Sequence, residues 1–239
     1  MRKTMVMEGY ALEVLSPIFY SSFEGNVIST DGVISSTALT YALADALRLR
    51  NKDYFLYGKE AITPKYEELE EIPIFATDGI PIELRHTPIE FKSVMFWAEE
   101  NIQIGSQQNP YPEIMNTASK SPFFKQVRQY VGIDVGSRFQ CIIVSKEKLD
   151  DEFLINLGIR RSGEVKLKKI AKLPEYINLN YFMLDKVYGV PKEKLLLTGA
   201  KIKTSGIKRS GDFRLVFLQN VPLEYFKNEI LPWVVKKWK

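Results

Sequence analysis

The sequence is short of the residues on which much small-protein chemistry depends. In 239 residues there is one cysteine, Cys141, and one histidine, His86. A lone cysteine excludes an internal disulfide framework, and one histidine beside one cysteine excludes a Cys/His zinc site, so neither a metal nor another cofactor is expected. No stretch approaches about 18 uninterrupted apolar residues, and MRKTMVMEGYALEVL at the start lacks the apolar run and small-residue cleavage site of a signal peptide. No membrane contact and a cytoplasmic location are the corresponding expectations. An excess of one charge is missing too: 33 Lys and Arg face 29 Asp and Glu, leaving +4. That is too little to draw the whole chain to any polyanion, so a nucleic-acid site would have to come from local clustering.

What is present is apolar material, 45% of the chain, enough to bury a substantial core in one large domain or two small ones. Residues 9 to 20, GYALEVLSPIFY, are rich in β-formers and read as an opening strand. TALTYALADALRLR, from Thr37, puts Leu39, Leu43, Ala46 and Leu47 on one helical face, with Ser35 or Ser36 available as N-cap. Strand-like pieces follow at 53 to 57, 72 to 76 and 89 to 98, with the charged KYEELEE between the first two as a solvent-facing turn. Residues 99 to 122 carry Gln, Asn, Gly and three prolines with little periodicity, the composition of a long insertion. From 123 the β pattern resumes in FFKQVRQYVGI, SRFQCIIVSK, DEFLINLGIRR and GEVKLKKI. A helical LNYFMLDKVYG, strands KLLLTGAKIKT and GDFRLVFLQ, and a final helix started or interrupted at Pro232 complete the chain. This succession predicts an α+β fold: a ferredoxin-like, RRM-type core over 1–150 that includes the 99–122 insertion, and a β-rich basic extension over 151–239.

The strongest chemical signal is a pair of basic segments interrupted by glycine. GIRRSGEVKLKK gathers Arg160, Arg161, Lys166, Lys168 and Lys169, and KIKTSGIKRSGDFR gathers Lys208, Arg209 and Arg214 with further lysines. Arg and Lys neutralise phosphates, and Gly/Ser loops supply backbone donors that fix the path of a phosphodiester chain. Lys166 and Lys168 alternate onto one strand face. If the two hairpins lie on a common side, they make one groove for a bent single strand. The plain alternative is two solvated hairpins whose lysines discourage edge-to-edge pairing. Tyr20, at the end of the first strand segment, could stack on a base. GIDVGSRFQ superficially matches a phosphate loop of the actin/hexokinase ATPases, but no companion motif follows, so Gly132 and Gly136 read as shaping a tight β connection. His86, in RHTP, has no partner identifiable by spacing that would make it a general base.

Four segments in order, SPIFYSS, STALTYALADAL, the HTP turn, and VGIDVGSRFQCIIVS leading into INLGIRRSGEVKLKKI, resemble the small handle-capping subunit of type I-D CRISPR complexes, a member of the RAMP superfamily. The resemblance covers roughly residues 9 to 172. It implies a ferredoxin-like RAMP core that caps the 5′ handle of the guide crRNA in a Cascade-type surveillance complex for antiviral defence. It further implies a thumb meeting the filament backbone subunit, a large subunit held at the same end, and target DNA near the protospacer-adjacent motif as a further neighbour. Members of this type are non-catalytic. On this basis Arg160, Arg161, Lys166, Lys168 and Lys169 are assigned to handle phosphates, with Lys208, Arg209, Arg214, Arg138 and Tyr20 as further members of the RNA surface and residues 99–122 as the thumb. The alternatives are a metal-independent repeat-RNA endoribonuclease of the same superfamily, and an RNA-free scaffold subunit.

Overall fold

The computed structural model describes residues 5–19, 27–30, 32–49, 66–87, 90–93, 127–158, 163–204, 216–236 and 238. The expected strand at 53–57 and the 99–122 insertion lie outside the described residues.

β1 (Val6–Val14) begins earlier than expected and stops at Val14, because Ser16 and Pro17 break the ladder; Ile18 returns to it only as an isolated bridge to Ile133. Its alternation is strict where it matters, with Tyr10, Leu12 and Val14 buried and Glu13 exposed. After β2 (Val27–Ser29) comes α1 (Ser36–Ala46), capped by the Ser35 hydroxyl, which accepts the Thr37 N–H, and burying Leu39 and Leu43. A 3₁₀ turn at Tyr66–Glu70 buries Leu69 beneath its exposed glutamate, and the chain then forms β3 (Ile74–Ala76) and β4 (Ile80–Glu83).

β5 (Glu90–Ser93) and β6 (Val127–Val131) pair with β2 in a small sheet of their own. β7 (Arg138–Ser145), β8 (Glu152–Leu157) and β9 (Gly163–Ile170) complete the main sheet, whose order is β3-β7-β1-β9-β8 with β4 also on β7. β7 is antiparallel to both β1 and β3, so β1, α1 and β3 form a β-α-β unit split by β7, and β9 flanks β1 on its other side. That is the strand order of a ferredoxin-like core. One feature departs from it: a strand, β8, and not a second helix, links β7 to β9. The sheet compensates by curling, so that α1 lies against both edge strands, β3 and β8. β8 and β9, from the half of the chain assigned to the extension, are thus hydrogen-bonded into the first sheet.

β10 (Tyr176–Asn180), β11 (Lys201–Thr204) and β12 (Val216–Pro222) make a second antiparallel sheet in the order β10-β12-β11. The KLLLTGAKIKT run is a strand only in its last residues; its leucines sit in and after a helical turn, α2 (Lys192–Leu196), opened at Pro191, because Lys-Glu-Lys-Leu-Leu favours helix. The C-terminal helix is broken into Leu223–Tyr225, a π-helical turn at Phe226–Ile230, and Leu231–Val234. Pro232 has no N–H to return to the preceding turn, which widens to absorb the loss. These pieces close over Phe75, whose ring stacks on Phe226 at 5.9 Å and meets the edge of Tyr188 at 5.6 Å, and the two sheets share one hydrophobic core.

Candidate nucleic-acid interface

The face of the main sheet away from its buried side can be read from the register. Glu83, Arg138, Glu13, Lys166 and Leu154 form one cross-strand row, and Gln140, Ala11, Lys168 and Glu152 form the next. Arg138 and Lys166 are two strands apart, about 10 Å at the usual strand spacing. These two rows are exposed, but their cations are answered by carboxylates: Lys166 Nζ lies 2.6 Å from Glu152 and Arg138 Nη2 lies 2.8 Å from Glu83. The hydrogen bond from Lys166 and its charge hold the Glu152 carboxyl below its ordinary range, and the same bond raises the Lys166 ammonium. Lys168 stands exposed opposite Glu152. No aromatic side chain occupies these two rows, so this face offers bases nothing to stack on.

Lys169 points to the other side of β9. It is ion-paired with Glu8, a carboxylate that is 8% exposed and also accepts the Tyr10 hydroxyl and the Leu149 N–H. Burial works against the charge on Glu8, but the Lys169 ammonium and these hydrogen bonds outweigh it and hold the carboxyl below its usual value. This cluster ties the β7–β8 connection to β1. A cavity of about 450 Å³, lined by Leu47, Leu49, Pro73, Ile74 and the 145–150 connection, lies at that same end of the sheet.

At the opposite end the chain leaving β1 is gripped on two sides. Ile18 exchanges both backbone hydrogen bonds with Ile133, at 2.9 and 3.0 Å, and Ser16 Oγ accepts the Glu164 N–H at 2.7 Å. The β8–β9 connection begins at Gly158 and ends at Gly163, and both press against this strap. A Cβ at Gly158 would lie 2.9 Å from the Phe19 carbonyl oxygen, and one at Gly163 would lie 2.7 Å from the Ile18 side chain. Only glycine permits that approach, and Gly158 also has φ +88°. The turn at 134–137 meets the same corner, because the Gly136 N–H donates to Val14 and Arg138 follows it on β7.

Of the residues read from the sequence, Tyr20, Arg160, Arg161, Lys208, Arg209 and Arg214 lie outside the described residues. Their flanks are informative. Phe19, before Tyr20, and Gly158 and Gly163, around Arg160 and Arg161, converge on the corner that carries Arg138. The strands that lead into the two basic segments run in opposite directions: β8 runs with β1, whereas β11, followed through β12, β10 and the Asp78–Asn178 bridge, runs against it. Arg85 belongs to the corner, although as an isolated arginine beside His86 it carries no signal in the sequence. His86 is exposed and bridges Ile133. The Cys141 thiol is buried, and burial pushes it up to about 12. Among the described residues no group of three His, Cys, Asp or Glu side chains could hold a metal ion, and no helix is long and apolar enough to cross a membrane.

The family model for the type I-D CRISPR-associated protein Cas5/Csc1 matches residues 5–202. This chain belongs to that family. The Cas5/Csc1 match contains all four segments on which the sequence resemblance rested, and it places the chain among the subunits of type I-D CRISPR effector complexes. Two solved structures are similar to it at low identity. A chain of a type III-B Cmr-beta complex, determined by cryo-electron microscopy in the apo state, matches with a TM-score of 0.37 at 10% identity, over 70% of this chain and 98% of that one. The oligomeric Cmr4 of Pyrococcus furiosus, a crystal structure, matches with a TM-score of 0.29 at 10% identity, over 70% of this chain and 100% of that one. Among curated proteins none matches.

Proposed function

We propose that this Cas5/Csc1 chain is a non-catalytic, cytoplasmic RNA-gripping subunit that caps the 5′ handle of the guide RNA, and that it docks the large and backbone subunits of a type I-D surveillance complex. The observation that carries the reading is the corner where β1 ends: the strap to Phe19, the base of the connection bearing Arg160 and Arg161, and Arg138 are fastened together there. A single strand of RNA passing that corner would meet the guanidiniums of Arg85 and Arg138 beside the glycine-flanked connection whose sequence carries Arg160 and Arg161, a pairing of cations with glycine backbone that suits a phosphodiester path. The neighbouring open face, with Lys166 and Lys168 but no aromatics, contributes charge and not stacking. Residues 99–122 are assigned to a partner subunit, and Lys208, Arg209 and Arg214 to the RNA surface as further members.

Co-expression with the other type I-D subunits and a CRISPR array, followed by sequencing of the co-purified RNA, tests this. A short RNA of uniform 5′ sequence, retained less as salt rises, is expected. Replacing Arg160, Arg161, Lys166 and Lys168 together by alanine is expected to release it. Unchanged retention in that variant would remove the reading. Cleavage of repeat RNA by the pure chain in EDTA, abolished by His86→Ala, would replace it with the ribonuclease alternative.

A further inference from the structure

Arg85 and Arg138 come from different elements and converge on one carboxylate. Arg85 Nε and Nη2 reach Glu83 Oε1 at 3.0 and 2.5 Å, and Arg138 Nε and Nη2 reach Glu83 Oε2 at 3.2 and 2.8 Å. Each guanidinium therefore presents two donors to its own oxygen, and the set carries a net positive charge. Both arginines keep 58% of their side chains exposed, and Glu83 keeps 35%.

The position of Arg85 is built. Its N–H donates to Ser137 Oγ at 3.0 Å, its carbonyl accepts from the Ser137 hydroxyl at 3.1 Å and from the Asp134 N–H at 2.9 Å, and Ser137 is fully buried. Its guanidinium lies over Gly136, where a Cβ would come within 3.1 Å of Nη1. The turn that carries Arg138 into β7 thus also fixes the backbone of Arg85.

We infer that Arg85 and Arg138 form a clamp for one phosphodiester group of the guide RNA, with Glu83 holding the place of that phosphate in the free chain. This deepens the function proposed above and rests on it; Arg85 is the new member, and the pair acts as one unit. Guanidinium N–H donors grip carboxylate and phosphate oxygens alike by charge-assisted hydrogen bonds, and here the two donors of each arginine close on a single oxygen. A phosphate offers two non-bridging oxygens, one for each guanidinium, with a spacing close to that of a carboxylate. Glu83 keeps the two side chains in the bound geometry until RNA displaces it, and it is at the same time a competitor.

The competitor role makes a prediction that a plain surface ion pair does not. The full chain is titrated against a fluorescent single-stranded RNA carrying the repeat-derived 5′ sequence, at several salt concentrations. Arg85→Ala and Arg138→Ala are each expected to lower the slope of log K against log [salt] by about 0.7, the share of one phosphate contact on a single strand. The double variant should lose little beyond either single change. Glu83→Gln is expected to tighten binding roughly fivefold by freeing both guanidiniums, whereas Glu224→Gln, which frees Lys227 on the C-terminal helix, should leave it unchanged.

Slopes unaltered in both arginine variants, or equal effects of Glu83→Gln and Glu224→Gln, would overturn the clamp while leaving the RNA reading intact. A wild-type chain that binds no RNA at any salt overturns that reading and the clamp with it. Sensitivity of duplex DNA binding, but not RNA binding, to the two arginines would overturn the assignment to the guide.

Discussion

Asp78 shows how one residue can set the pH dependence of the fold. It is fully buried, its Oδ1 accepts the N–H of Ser36 at the first turn of α1 at 2.6 Å, and its Oδ2 finds no hydrogen-bond partner among the described residues. Burial raises its carboxyl from 3.8 to about 7, against the lowering effect of the Ser36 N–H. As pH climbs from 4 to 7 the unfolded chain releases this proton while the folded chain keeps it. Stability therefore falls through that window, by up to about 1.4 kcal/mol per pH unit, and the loss is complete above 7. Asp78→Asn keeps the acceptor for Ser36 and removes the titration. The melting temperature of the variant minus that of the wild type should rise by several degrees between pH 4.5 and 7.5; a difference independent of pH would refute the account. Lys169 and Lys166 make a second contrast, since the sequence lists them together and the pleat separates them. Lys169→Ala strands the Glu8 carboxylate, which is 8% exposed, and should lower the midpoint of urea unfolding measurably. Lys166→Ala breaks an exposed pair and should leave that midpoint nearly unchanged. Equal losses would mean that the two ion pairs are alike in burial, contrary to the geometry.

At the scale of elements, the parts that could be read from the sequence are those in which the local pattern and the tertiary environment agree. β1 and β9 declare themselves by alternation because one face of each is buried over most of its length, β7 declares itself by an apolar run buried on both faces from Cys141 onward, and α1 by its leucine stripe and Ser35 cap. The leucine run before β11 is ambiguous in the sequence because apolar content alone does not separate a strand from a helical turn opened by proline. The main sheet's curl around a single helix had no local signal at all, since it follows from β8 standing where a second helix would be. The site divides in the same way. Clustered cations are visible in one dimension, but which of them meet is decided by register: Arg138 stands in one row with Lys166, Lys169 is turned inward, and Arg85 joins the corner through Ser137. The glycines at the ends of the β8–β9 connection allow a direct test. Gly158→Ala adds a Cβ at positive φ against the Phe19 carbonyl and should cost about 2–3 kcal/mol. Gly199→Ala has φ +66° but open space around it, so about 1 kcal/mol is expected. If thermal melts rank the two in the reverse order, the strap is not packed as described.

Over the whole molecule, the family match ends at residue 202, inside β11, yet the core does not end there. β12 is the central strand of its sheet, paired with β10 on one side and β11 on the other. Phe226, Ile230, Leu231 and Val234 bury their side chains in the same cluster as Phe75, Tyr188 and the strands of the main sheet. Removing residues 203–239 would therefore strip the second sheet of its middle strand and expose Phe75 of β3, whose ring lies against Phe226. Burying a large apolar side chain is worth roughly 1.5–3 kcal/mol, so the loss of four such side chains, roughly 6–12 kcal/mol, is comparable with a typical domain's whole margin of about 5–15 kcal/mol. A chain ending at residue 202 should appear in the void volume on size exclusion or show no cooperative melt, although it contains the entire family match and the strap corner. A soluble monomer that melts near the wild-type temperature would show that the C-terminal segment is an accessory to the fold. The expected failure instead makes it part of the platform on which the corner at the end of β1 is held.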